Sequence, residues 1–261
     1  MQIIDIHTHV YPDPIAQKAT DSIQDFYDIA GSGMNGTVSM LRERGGKAGI
    51  SQYVILPVSV RPNHTRSINE FILRQTALYS DFIGFGTVHA EMAQLDEEVQ
   101  FIMDSGLRGI KMHPDTQCFD IDDPRLFSMY EAVSGRIPVI LHMGDPRYSY
   151  SRPAKLRRVL ELFPRLDVIA AHFGGYSMYE EAYTQLRDKN CIFDISSSMM
   201  FMPGGIAEEY INRYGAERMA YGTDYPLWDP VQEVQAFLRL KLTDAQFEQI
   251  AWKTAKTFLK L

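Results

Sequence analysis

Cysteine is scarce in this chain, and so are clusters of positive charge. Only Cys118 and Cys191 occur among 261 residues, and neither has a Cys-x-x-Cys partner. That count argues against a disulfide framework and fits a reducing compartment, with both thiols structural. The 33 acidic residues outnumber the 26 Lys and Arg, giving a formal net charge of -7. The densest basic group, Lys155, Arg157 and Arg158, reads as one solvated helix face, so nucleic acid is not an expected partner. No apolar stretch reaches the length of a membrane span. The first residues enter a strand pattern with no basic n-region before it, so a cytoplasmic location away from membranes is the expectation. No linker, low-complexity tract or close repeat divides the sequence, and one domain over residues 1–261 is expected.

What is present is a large apolar fraction, 45%, enough for a sizeable core. Short β-rich runs recur at 2–9, 52–58, 82–89, 106–113, 136–143, 166–173, 191–196 and 218–224. Several are almost continuously apolar, the pattern of parallel strands covered on both faces. Helical stretches lie between them. Ile68, Phe71, Ile72, Gln75, Leu78 and Tyr79 follow i, i+3, i+4 spacing. Thr243 to Gln246 reads as a capping box before a C-terminal stripe of Phe247, Ile250, Ala251, Thr254, Phe258 and Leu259. The Gly-rich residues 30–50 read as a mobile loop running into a helix. Eight strands alternating with helices in this length predict an α/β protein, a distorted (β/α)8 TIM barrel. A doubly wound open sheet is the competing architecture, but no Gly-x-Gly-x-x-Gly follows the first strand.

The seven histidines are not scattered. His7, His9, His89, His113, His142 and His172 each stand at or just after the C-terminal end of a predicted strand. His64 lies in the loop after the second. In a TIM barrel those ends and their loops build the active site. His7 and His9 share strand parity, with Asp5 below them, so both face the same way. His142 ends VILH, His172 ends IAAH and Asp224 ends YGTD. Three imidazoles and a carboxylate suit a divalent ion, zinc before manganese. Taken singly, each piece has a plainer reading. A His-x-His is common, an Asp before Tyr-Pro is a turn former, and a lone strand-end histidine packs in a core. It is their joint placement on one rim that favours the metal.

The ordered set HTH, KMHP, LHMG, AHFGG and YGTDYP resembles the amidohydrolase superfamily, over nearly the whole chain. The branch it most resembles contains aminocarboxymuconate-semialdehyde decarboxylase and related hydrolases. The resemblance implies a distorted (β/α)8 barrel with one divalent metal ion. It implies His7, His9, His142 and Asp224 as ligands, with Asp224 also handling a proton. His172 is implied as the second catalytic residue, polarising the substrate or assisting proton transfer. Lys111 matches a strand-four lysine that bridges two metals in binuclear members, but its depth in the strand favours a buried ion pair. Dimers among relatives make a homodimer the expected assembly.

Metal-acidified water with Asp224 as proton acceptor would hydrolyse an amide, ester or lactone. The same site in decarboxylase members supports protonation of the carbon that loses CO2. Hydrolysis of a small carboxylated molecule is the first expectation and non-oxidative decarboxylation the alternative. A non-catalytic binding relative would be expected to have lost a ligand, and none of the matched positions is lost. Arg61 and Arg147 are candidates for recognising a carboxylate, against a plainer reading as ion-pair partners. His113 is a candidate for lining the pocket. Met199, Met200, Phe201 and Met202 read equally as pocket wall or core.

Overall fold

A computed structural model describes residues 2–261. Its strands are β1 (Ile4–Thr8), β2 (Gln52–Ile55), β3 (Phe82–Gly84), β4 (Gly86–Thr87), β5 (Ile110–Met112), β6 (Val139–Leu141), β7 (Val168–Ala170), β8 (Ile192–Asp194) and β9 (Met219–Ala220). Each of the eight expected segments holds a strand. The third holds two, because the ladder breaks at Phe85 between two glycines. Those glycines admit close neighbours: a Cβ on Gly84 would meet Thr76 and Ile72, and one on Gly86 would meet Ile102.

The chain forms two compact units, one of Met1–Leu56 and Ile195–Leu261, the other of Pro57–Asp194. In the first, every residue of β1 is buried. β1 pairs in parallel with β2, with Asp5 opposite Tyr53 and Thr8 opposite Ile55. Three steps on β1 therefore face two on β2, a bulge at Ile6 and His7 of the kind that re-aims side chains beside functional sites. Along its other edge β1 is tied to the segment that follows β9. Ile6 N–H donates to Tyr221 O at 2.9 Å, Asp224 N–H to His7 O at 2.8 Å, and His9 N–H to Tyr225 O at 2.7 Å. Asp5 lies beneath, accepting from Thr223 N–H at 3.0 Å and Thr223 Oγ1 at 2.6 Å.

The helices of this unit follow local sequence signals. Asp13–Tyr27 begins directly after Pro12, with Pro14 in its first turn, where the missing N–H costs nothing. The Pro-rich stretch after HTH is thus a helix start. Residues 30–50 deliver the helix Val38–Ala48, capped by Thr37, whose side chain accepts from Met40 N–H. The Thr243–Gln246 capping box forms as expected.

In the second unit β4 to β8 run side by side in parallel, with Gly86 opposite Ile110, Ile110 opposite Val139, Val139 opposite Val168 and Ile169 opposite Ile192. Much of the interior is apolar: Met112, Val139, Ile140, Leu141 and Val168 are all fully buried. Helices Thr65–Leu78, Leu95–Asp104, Phe127–Val133, Pro153–Leu162 and Tyr179–Leu186 alternate with the strands. The 65–78 helix buries Ile72 and Asn69. The Asn69 amide donates to Thr87 O at 2.9 Å and to Glu98 Oε1 at 2.7 Å, which pins the weak β4.

Candidate metal centre

The register of β1 and the residues after β9 brings His7, His9 and Asp224 together in the first unit. One ligand atom from each lies within 4.8 Å of the others. His7 Nε2 is 3.5 Å from Asp224 Oδ1, and His9 Nε2 is 3.4 Å from the same oxygen. A tetrahedral divalent ion with bonds of about 2.0–2.2 Å spaces its donors by roughly 3.3–3.6 Å. The donor set therefore fits such an ion. His9 Nδ1 stands 2.7 Å from Leu56 O, a carbonyl that can only accept. That contact puts the ring proton on Nδ1 and the lone pair on Nε2, the orientation that metal-binding histidines use.

A layer of hydroxyls backs the group. Ser196 Oγ lies 3.2 Å from His7 Nδ1. Ser197 Oγ donates to Asp224 Oδ2 in a very short contact. Trp228 Nε1–H donates in turn to Ser197 Oγ at 2.7 Å. Ser197 and Asp224 both have left-handed backbones, φ 47° and 60°. Non-glycine residues held there cost of order 1–3 kcal/mol each, and such strain clusters at functional sites. Gly222 lets the backbone pass close by: a Cβ there would meet His7 Cβ at 2.9 Å. Glu233 is buried close by, pushed up to about 8 by burial and then by Asp224 and Asp5.

The second unit gathers a different group. His113, Asp115 and His142 also bring one ligand atom each within 4.8 Å of the others. The rings of His113 and His142 stack at 3.9 Å, nearly parallel. His142 Nε2 is 3.6 Å from Asp115 Oδ2, and His142 Nδ1 is 3.0 Å from His172 Nε2. His172 N–H donates to Asp194 Oδ1 at 3.1 Å. His172 and Phe173 adopt left-handed backbones, φ 59° and 55°. Burial pushes the Asp115 carboxyl up to about 6, against a hydrogen bond from Ser151 Oγ at 2.5 Å.

The other expected residues fall elsewhere. Arg147 is engaged by Asp145, with its Nε at 3.0 Å and a terminal nitrogen at 2.7 Å. Arg61 is exposed and precedes a short turn of helix, Pro62–His64. Lys111 is fully buried. His89 is buried edge-on to Phe119, and burial lowers its pKa. Met202 is buried, whereas Met200 and Phe201 are exposed, Phe201 edge-on to Trp228. Ser196, Ser197, Trp228, Asp115 and Asp194 carry no distinctive sequence signal. Only their nearness to HTH, KMHP and YGTDYP marks them.

The chain belongs to the amidohydrolase family, whose model matches residues 4–261. It is an amidohydrolase-type enzyme, hydrolase or carboxy-lyase in kind. Comparison with curated protein sequences finds no match. Solved structures share its fold. An uncharacterized TIM-barrel protein from Bordetella bronchiseptica has a TM-score of 0.81 at 21% identity, covering 100% of this chain and 99% of that one. A 2,6-dihydroxybenzoate decarboxylase complexed with 2,6-dihydroxybenzoate has a TM-score of 0.77 at 17% identity, with both chains covered in full. A 5-carboxyvanillate decarboxylase from Novosphingobium aromaticivorans was solved with manganese and 4-hydroxy-3-methoxy-5-nitrobenzoic acid. It has a TM-score of 0.77 at 17% identity, covering 100% of this chain and 96% of that one. The fold is thus the α/β TIM-barrel type expected from the sequence. Among the described residues no helix is long and apolar enough to cross a membrane.

Proposed function

We propose that the protein is a metal-dependent, non-oxidative decarboxylase of a small aromatic carboxylic acid. The observation that carries the metal dependence is the His7, His9 and Asp224 spacing, with His9 oriented by Leu56 O. The choice of decarboxylation over hydrolysis leans on the fold relatives, which hold hydroxybenzoate-type acids and manganese. It reverses the order in which the sequence placed the two reactions.

In this reading His7, His9 and Asp224 hold one divalent ion, and the family pattern adds His142. When bound, the ion supplies Lewis-acid polarisation and acidifies water. Asp224 is the proton-handling group, its carboxylate oriented by Ser197. A proton reaches the ring carbon that bears the carboxylate. The C–C bond then breaks, its electron pair returns to the ring, and CO2 leaves. His172, seated on Asp194, serves proton transfer or substrate polarisation. Arg61 and His113 are the proposed substrate contacts. For Arg147 the proposal requires it to leave Asp145. Zinc and manganese are both suited to two imidazoles and a carboxylate.

The test is CO2 release from a panel of hydroxybenzoates by protein loaded with Zn2+ or Mn2+, before and after chelation. Metal-dependent release supports the reading. No release across the panel, with amide, ester or lactone turnover instead, replaces it with hydrolysis. Hydrolysis stays the second reading because a carboxylate beside two imidazoles is equally placed to take a proton from water. Activity that survives complete metal removal sinks both.

A further inference from the structure

One apolar feature of the first unit is left over by the metal centre. Of the 14 phenylalanines only Phe201 is exposed, at 44%, and Met200 beside it is exposed as well. Exposed apolar residues scattered singly need no explanation, but this pair is neither scattered nor loosely held. Ser198 O fixes the turn that carries it, accepting from Phe201 N–H at 2.9 Å and from Met202 N–H at 3.1 Å, and the buried Met202 anchors it. Phe201 meets Trp228 with 5.7 Å between ring centres and 71° between ring planes, so the two rings form a corner rather than a stack. Trp228 is held in place, because its N–H donates to Ser197 Oγ at 2.7 Å. The backbone just before it is held by Ser32 Oγ, which donates to Pro226 O at 2.7 Å. Ser197 Oγ donates in turn to Asp224 Oδ2. The corner therefore stands two hydrogen bonds away from the carboxylate that joins His7 and His9.

We propose that Phe201 and Trp228 seat the ring of an aromatic acid substrate, and that Phe201 sets the preference for an aromatic ring over a saturated one. The inference rests on the aromatic-acid reading above and names the residues that recognise the ring. Aromatic rings favour offset or edge-to-face contacts with centres about 4.5–7 Å apart, and such contacts stabilise beyond the area they bury. A corner of two rings offers a third ring these contacts on both walls, whereas a saturated ring gains area alone. The placement suits the chemistry as well. Ser197 alone separates Trp228 from Asp224, a gap that one benzoic acid can span with its ring in the corner and its carboxylate toward the donors. Seating the ring also removes the exposed Phe201 surface from water. A second copy of the chain is the other occupant that such a patch admits, and the test separates the two.

The experiment measures binding rather than turnover. Titration calorimetry of Zn2+-loaded protein compares benzoate with cyclohexanecarboxylate, the same carboxylate on a saturated ring. Metal content and unfolding curves check each variant. Wild type should bind benzoate roughly three- to tenfold more tightly than the saturated acid. Phe201→Ala should lose that preference, its benzoate affinity falling by at least the same factor and its cyclohexanecarboxylate affinity much less. Phe201→Leu, which keeps apolar area, should lose the preference too, and Phe201→Tyr should retain it. Unchanged benzoate affinity in Phe201→Ala overturns the proposal. Equal losses for the two acids also overturn it, by making Phe201 a plain apolar wall. A change in gel-filtration size with benzoate affinity unaltered assigns the patch to a contact between copies instead. Failure of the wider reading looks different. Wild type that shows the preference but releases no CO2 from hydroxybenzoates keeps the corner and sinks decarboxylation. Wild type that releases CO2, with a Phe201→Ala that binds benzoate normally, sinks the corner alone. Wild type that binds neither acid and releases no CO2 sinks both.

Discussion

Each unit carries a His/His/Asp group, and the two are finished differently. In the first, the layer behind the donors is complete. Leu56 O holds His9, Ser197 holds Asp224, and Trp228 holds Ser197. In the second, His142 is held by His172, but the carboxylate keeps an oxygen with no partner. Each unit also buries a carboxyl with an orphaned oxygen, Asp115 in one and Glu233 in the other. Their company separates them. Asp115 faces imidazoles, which can share a cation. Glu233 feels Asp224, Asp5 and Asp229, so its answer is to stay protonated. The same defect thus sits beside imidazoles in one place and among carboxylates in the other.

The comparison breaks most sharply at Asp224. On the proposed reading, Asp224→Ala removes a metal donor and the proton-handling carboxylate together. Turnover is expected to fall roughly a thousandfold or more, several kcal/mol of transition-state stabilisation. Asp115→Asn, measured alongside, should cost less, because it leaves the first centre whole. Equal losses in the two variants would mean that the groups act as one.

Gly222→Ala probes how tightly the first centre is built. Its new Cβ would sit 2.9 Å from His7 Cβ, so β1 or the 221–225 segment must move. A destabilisation of about 1–3 kcal/mol is expected by urea unfolding, with weaker metal binding by His7, His9 and Asp224. A neutral result would show that this edge gives way more easily than its hydrogen bonds suggest.

The layer behind the donors is tested by Ser197→Ala. Loss of such partners typically costs about 10–100-fold in metal affinity, read here by competition with a chelating dye. Trp228→Phe, which keeps the ring and removes the N–H, should move the same quantity in the same direction by less.

How much of this was legible beforehand follows from residue type. HTH and YGTD could be read because parity and strand ends fix where such side chains go. The eight strand segments could be read because continuous apolar runs have few other uses. The break at Phe85 could not, since it depends on what Gly84 and Gly86 must admit from neighbouring helices. The helix at Asp13–Tyr27 hid behind prolines that suggest loop until one is placed in a first turn. Asp115 and Ser197 were invisible for a more basic reason. A single aspartate or serine carries no signal until its neighbours in space are known, and theirs are 27 to 36 residues away.

Glu233 supplies the smallest effect and the cleanest contrast with Asp115. Its carboxyl is held up to about 8, burial being the main cause. An unfolded glutamate ionises near its ordinary value of 4.5. Between those limits the folded chain binds a proton that the unfolded chain has lost. Stability from this group is therefore fully present below about pH 4.5 and falls as pH rises toward 8, by about 1.4 kcal/mol per unit. Glu233→Gln cannot ionise, so its stability should decline less steeply than that of wild type between pH 5 and 8. The difference between the two curves, from urea unfolding of metal-free protein, isolates Glu233 from every other group. Parallel curves would mean that Glu233 is ionised in the fold and has a cationic partner. Adding Zn2+ should shrink that difference, because an ion held at Asp224 offsets one of the negative charges that raise Glu233.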